Sequence, residues 1–264
     1  MRRLLVLIGL LAGCNPANAV LLWPPSGEAD AGGAERTLVR DGDAQVEAWR
    51  MRAADPRAYI LRFYGNGALA QWELPDEARA MGDDVEMWGV NYRGYGGSDG
   101  PATLGGVASS SLAAYDALAV EAHGKPIYVF GTSLGATAAL HVAARREVKG
   151  LLLVNPPPLR RLVLERHGWW NLWLLAAPVS FGIPNALDSE DNARASSAPA
   201  IFVSSEDDDI VPLAYQGRVI AAYAGPKIVI QIPSAGHNTP PPPAIAARIR
   251  DAVLAMIHSG GTPS

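Results

Sequence analysis

The most constraining feature of the chain is a short strand, turn and helix pattern in its middle. Pro126 to Phe130 is apolar and β-prone, runs straight into Gly131-Thr132-Ser133-Leu134-Gly135, and gives way to a helical pattern from Ala136 to Arg146. A G-x-S-x-G sequence in that setting predicts a sharp turn that lifts the serine hydroxyl out of the sheet, at the head of a helix whose dipole favours negative charge. The glycines at 131 and 135 have a steric role, because the flanking backbones approach too closely for side chains. Ser133 is therefore the candidate nucleophile.

A serine needs an imidazole base, and the base needs a carboxylate to fix its tautomer. Of the five histidines, His141 lies within the helix after Ser133, where a rise of about 1.5 Å per residue carries it about 12 Å from the turn. His123 precedes the elbow strand, His258 ends the chain's last helical stretch, and His167 falls in an insertion. His237, in Ser234-Ala235-Gly236-His237-Asn238, follows the strand Lys227 to Ile232 and so lies at the carboxyl edge where parallel sheets place their sites. The acid should follow the strand Ala200 to Val203, where Glu206-Asp207-Asp208-Asp209 stand together, and spacing does not choose among them. The backbone N–H of Leu134 is one expected oxyanion donor, and that of Asn66, in the turn Tyr64-Gly65-Asn66-Gly67, is the other.

Around this segment, short β-prone runs alternate with helical patterns, at Ala44 to Arg50, Ala58 to Phe63, Val85 to Asn91, and Gly150 to Val154 as well as the strands already named. That alternation predicts an α/β fold, a doubly wound and mostly parallel sheet covered by helices on both faces. Ile245, Ile249, Val253 and Met256 recur at helical spacing, as do Leu112, Tyr115 and Leu118, and both stripes read as core-facing. Residues 159–198 interrupt the alternation, are too long for an ordinary connection, and hold Trp169, Trp170, Trp173 and Phe181, which predicts a helical cap insertion. Its aromatic side chains could line an acyl pocket or touch a membrane surface.

Arg2 and Arg3 precede an uncharged apolar stretch from Leu4 to Gly13, the pattern of an export signal and too short to span a bilayer. Leu11-Ala12-Gly13-Cys14 resembles a bacterial lipobox, and Cys14 is the chain's only cysteine, so an intramolecular disulfide is excluded. The expected organisation is a signal peptide at 1–13, a lipid-modified Cys14 and tether at 14–35, and one α/β domain at 36–264 with the cap insertion at about 159–198. A rival cleavage after Ala17-Asn18-Ala19 would leave a secreted or periplasmic protein. Anchoring through Cys14 implies the cell envelope, and under the sorting rule of enteric lipoproteins Asn15 favours the outer membrane. With 22 basic and 26 acidic residues the net charge is −4, and loss of Arg2 and Arg3 gives 20 − 26 = −6, so nucleic acid is excluded as a partner on charge.

Taken together, these motifs resemble the α/β-hydrolase superfamily over residues 37–258. Phe63-Tyr64-Gly65-Asn66-Gly67 is similar to an F-H-G-N-x oxyanion motif, and Asn91 to Gly100 to a Y-R-G-Y-G-x-S-x-G segment, both of a branch that includes membrane-associated serine hydrolases acting on acylated lipids and proteins. The branch's D-x-x-V-P motif falls on Asp208 to Pro212 and its G-H-N on Gly236 to Asn238, so the resemblance selects Asp208 as the acid, with Asp207 and Asp209 as the register alternatives. Tyr64 departs from the branch, which has histidine there. The resemblance implies a serine hydrolase cleaving carboxyl esters or thioesters through an acyl-enzyme, with no metal or organic cofactor. A non-catalytic envelope lipoprotein and a serine peptidase are the alternative functions. Oligomeric state is not legible.

Overall fold

The computed structural model describes residues 15–27, 31–167 and 176–260. Cys14, the signal stretch, and Trp169, Trp170 and Trp173 lie outside the described residues.

Eight strands form one sheet among the described residues: β1 (Glu35–Asp41), β2 (Ala44–Met51), β3 (Ala58–Phe63), β4 (Val85–Val90), β5 (Ile127–Thr132), β6 (Gly150–Val154), β7 (Ala200–Ser205) and β8 (Lys227–Ile232). Their spatial order is β1-β2-β4-β3-β5-β6-β7-β8. The first two pairings, β1 with β2 and β2 with β4, are antiparallel, and every later one is parallel. β1 escapes sequence periodicity because it is an edge strand with mostly exposed side chains, joined to β2 through Gly42 at φ 62°.

The central strands are buried on both faces, as crossover helices require. Along β3, Ala58 and Ile60 face one core while Tyr59, Leu61 and Phe63 face the other, the period of two expected of a pleated strand. Helices α2 (Ala70–Met81) and α9 (Pro243–His258) cover the first core. The second is covered chiefly by α3 (Leu104–Ala122) and α4 (Leu134–Ala143). In α9, Val253 and Met256 are buried and Ile245 and Ile249 are partly so.

The insertion contributes α5 (Leu159–His167), α6 (Ala176–Phe181), a 3-10 turn at Asn185–Leu187 and α7 (Ser189–Ala195); α8 (Leu213–Ala222) follows β7. Residues 15–27, within the stretch expected to be a tether, are attached to the domain at a few points. They form the short helix α1 (Pro16–Leu21), capped by the Asn15 side chain, with Ala17 and Leu22 buried. Two buried apolar side chains, Ala17 and Leu22, and the hydrogen bonds of Asn15 and Asn18 hold it there, too little for hydrophobic periodicity to register. Among the described residues, no helix is long and apolar enough to cross a membrane.

Candidate active site

β5 ends at the elbow. Ser133 has φ 53° and ψ −119°, a left-handed-side conformation that costs a non-glycine residue energy and is held by its surroundings. Its N–H donates to the Val154 carbonyl at 2.8 Å, tying the turn to β6. A Cβ on Gly131 would collide with the backbone of Gly135, and one on Gly135 with the carbonyl of Phe63 at the end of β3. Both glycines are demanded by backbone approach rather than by torsion, since neither has a positive φ.

Ser133 Oγ lies 3.0 Å from His237 Nε2, and His237 Nδ1 lies 2.7 Å from Asp208 Oδ2. With Nδ1–H donated to the carboxylate, Nε2 presents its lone pair to the serine hydroxyl. Asp208 is buried while Asp207 and Asp209 are exposed, and only Asp208 reaches the imidazole. Its Oδ1 accepts the N–H groups of Ile210 (2.9 Å) and Val211 (2.7 Å), and Oδ2 also accepts from Gln216 Nε2 at 3.2 Å. Those donors fix the orientation of the carboxylate beneath the imidazole.

The loops bearing Asp208 and His237 are joined beyond the ends of their strands: Glu206 N–H donates to the Ile232 carbonyl at 3.1 Å and Asp207 N–H to that of Ala235 at 2.9 Å. Asn155, at φ 47° just past β6, accepts from Ser205 N–H at 2.9 Å and donates to the His237 carbonyl at 3.3 Å. Sequence reasoning missed Asn155 and Gln216; an asparagine closing an apolar strand before Pro156, Pro157 and Pro158 was the available signal.

Leu134 is the first residue of α4, so its N–H has no carbonyl one turn earlier in the helix. Gly65 packs on Ser133, its Cβ position 3.6 Å from that of the serine, which brings the turn containing Asn66 to the elbow. Tyr92 Oη donates to the Tyr64 carbonyl at 3.1 Å and Tyr95 Oη to Asn66 Oδ1 at 2.8 Å, so the Y-R-G-Y segment props this turn.

Tyr64, in place of histidine, is held in its own network. Its ring lies 4.6 Å from the Arg62 guanidinium, and its hydroxyl donates to Glu77 at 3.1 Å. Burial, followed by the Glu77 charge, pushes the phenol well above its usual range. Arg62 pairs with both Glu77 oxygens and donates to Thr132 Oγ1 at 3.0 Å, linking β3 to the elbow strand. Burial opposes its charge, but Glu77 outweighs that and raises its pKa.

His123, His141 and His258 stand apart from this arrangement. His123 and His258 are exposed at helix ends; His141 is buried in α4, where burial and then Arg145 lower its pKa to about 4. The side chain of His167 lies outside the described residues. Among the described residues, no group of three or more His, Cys, Asp or Glu side chains could hold a metal ion.

The serine hydrolase family profile matches residues 113–239, a span that contains Ser133, Asp208 and His237. An uncharacterized protein of Mycobacterium tuberculosis is 31% identical over 184 residues, covering 64% of this chain and 58% of that protein. The lysophosphatidylserine lipase ABHD12 of Macaca fascicularis is 28% identical over 191 residues, covering 66% of this chain and 47% of that protein. The chain thus spans about half the length of the curated relatives it matches. In structure it is similar to Est1E from Butyrivibrio proteoclasticus bound to ferulic acid, with TM-score 0.68 at 18% identity, covering 85% of this chain and 98% of that one. The Pyrococcus furiosus esterase Pf2001 gives 0.67 at 14% identity, with 90% and 98% covered. These likenesses identify the fold as that of the α/β-hydrolases.

Proposed function

On the premise that this chain is a hydrolase enzyme of α/β-hydrolase fold, we propose that it cleaves carboxyl esters or thioesters of acyl or lipid type by a Ser133, His237 and Asp208 triad. The observation that carries this reading is the continuous line from a strained serine through an imidazole to a buried carboxylate, with contacts of 3.0 and 2.7 Å. Ser133 Oγ attacks the acyl carbonyl as His237 Nε2 takes its proton. The N–H groups of Leu134 and Asn66 receive the charge developing on the carbonyl oxygen. His237 then returns the proton to the leaving alcohol or thiol, and water, activated by the same imidazole, releases the acyl group from Ser133.

An acyl or lipid substrate is supported by the lipase name of the ABHD12 relatives and by exposed Trp23 and Ile210, whose backbone N–H groups donate to Asn66 and Asp208. We further propose that Cys14 carries a lipid anchor and that the enzyme works in the bacterial envelope, with the outer membrane favoured. The lipobox pattern supports that reading, and the packing of residues 15–27 would hold such an anchor close to the domain. No resident metal or organic cofactor enters the proposed reaction.

The test is turnover of p-nitrophenyl esters by wild type, Ser133→Ala and His237→Ala. Loss of about 10⁴-fold or more in kcat for each variant is expected of a triad. Wild-type turnover in Ser133→Ala would refute the reading.

A further inference from the structure

Residues 15–27 touch four separate pieces of the domain, one of them the turn that packs against Ser133. Asn15 Nδ2 donates to the Gly182 carbonyl at 2.6 Å, just beyond α6. The fit is close enough there that a Cβ on Gly182 would collide with the Asn15 amide oxygen. Asn18 Oδ1 accepts the Leu104 N–H at 2.9 Å, in the first turn of α3. The Pro25 carbonyl accepts the Gly96 N–H at 3.2 Å. Between these attachments the segment grips Asn66: its Nδ2 donates to the Leu21 carbonyl at 2.8 Å, while its Oδ1 accepts the Trp23 N–H at 2.9 Å.

A primary amide carries the same donor and acceptor as a peptide group, so the Asn66 side chain pairs with residues 21–23 as a neighbouring strand would. Tyr95 supplies a third bond to Asn66, and Tyr92 holds the Tyr64 carbonyl two residues earlier. The turn is therefore fixed from both ends, with two of the three Asn66 side-chain bonds coming from the amino-terminal segment.

We propose that residues 15–27 form a positioning arm for the oxyanion loop, with the Asn66 side chain as its latch. The proposal rests on the assignment of the Asn66 N–H as an oxyanion donor. That N–H and the latched side chain share one α-carbon, so pinning the amide restricts the torsions that aim the N–H. A donor stabilises a developing oxyanion only when it is aimed beforehand, with tolerances of about 0.5 Å and 10–20°. Asn66 is half-buried, so water would take over its bonds if the arm left. The turn would then gain freedom without a large loss of folding stability. The arm thus acts on turnover more than on substrate affinity.

The test uses the full chain, with kcat and KM for p-nitrophenyl butyrate and active sites counted by fluorophosphonate titration. Asn66→Ala, which keeps the backbone N–H, should lower kcat per active site about 10- to 100-fold, with KM changed by less than about twofold. Asn18→Ala should lower kcat in the same sense by about threefold or more, because it frees the arm from α3 while touching nothing reactive. Asn18→Asp keeps an acceptor at a helix N-terminus and should restore the wild-type value. Unchanged kcat in both alanine variants overturns the proposal, whatever happens to their melting temperatures. A fall in Asn66→Ala with wild-type kcat in Asn18→Ala removes the arm's part. Turnover retained in Ser133→Ala would defeat the triad reading and this proposal with it, an outcome distinct from either alanine result.

Discussion

Asn155 reaches across the carboxyl edge of the sheet from the end of β6 to hydrogen-bond the backbone carbonyl of His237 at 3.3 Å. The same amide accepts the Ser205 N–H at 2.9 Å, so one side chain ties the strand beside the elbow to the loops bearing Asp208 and His237. Asn155→Ala leaves buried groups unpaired and places a Cβ residue at φ 47° without the local hydrogen bonds that make asparagine tolerable there. We expect a loss of about 1–3 kcal/mol in stability by urea unfolding, with a fall in kcat. Asn155→Gly removes the torsional cost and should recover stability in part but not kcat, which separates positioning from strain.

Arg62 is buried with its charge matched by Glu77, whose carboxylate is about one-third exposed at 32%. Glu77→Ala strands the guanidinium and should cost about 3 kcal/mol, the lower end for a broken buried pair because water reaches the Glu77 side. Tyr64→Phe removes a single hydrogen bond to the same carboxylate and should cost only about 1 kcal/mol. Guanidinium chloride midpoints of the two variants would settle the ordering.

His141 sets a pH dependence of stability unrelated to catalysis. Its pKa falls from 6.5 in the unfolded chain to about 4 in the fold, chiefly through burial. Below 6.5 the unfolded state takes up a proton that the folded state refuses, so stability is full above that value and drains away as pH falls toward 4. The contribution is at most about 3 kcal/mol. Urea midpoints between pH 7 and 4 should decline, and His141→Gln should flatten that decline.

Phe181 is 81% exposed and Trp23 67% exposed, on the two segments joined by the Asn15–Gly182 hydrogen bond. If acyl substrates are met at a lipid surface, Phe181→Ser should depress turnover of p-nitrophenyl palmitate about tenfold and leave p-nitrophenyl butyrate within about twofold. Equal losses on both esters would assign Phe181 no part in handling long chains.

Legibility in the sequence followed the physics of each element. β3, β6 and β8 have the bounds the sequence implies, because buried or alternating apolar runs announce themselves. Ser133 and His237 stand out through a turn motif and a strand-end loop, both local features. Asp208 needed the resemblance, since Glu206 to Asp209 are equivalent in spacing and differ in the fold by which one is buried. The arm at 15–27, Asn155 and Gln216 act through hydrogen bonds to residues distant in the chain, and no periodicity encodes those. Tyr92 and Tyr95 were legible as a motif, but their grip on the turn at Tyr64 and Asn66 was not.

The most direct test of the central claim is the intact mass and peptide map of the protein after reaction with a fluorophosphonate. One adduct is expected, on the peptide bearing Ser133, and none in Ser133→Ala. An adduct that persists in that variant, or that maps to another residue in the wild type, would contradict the account.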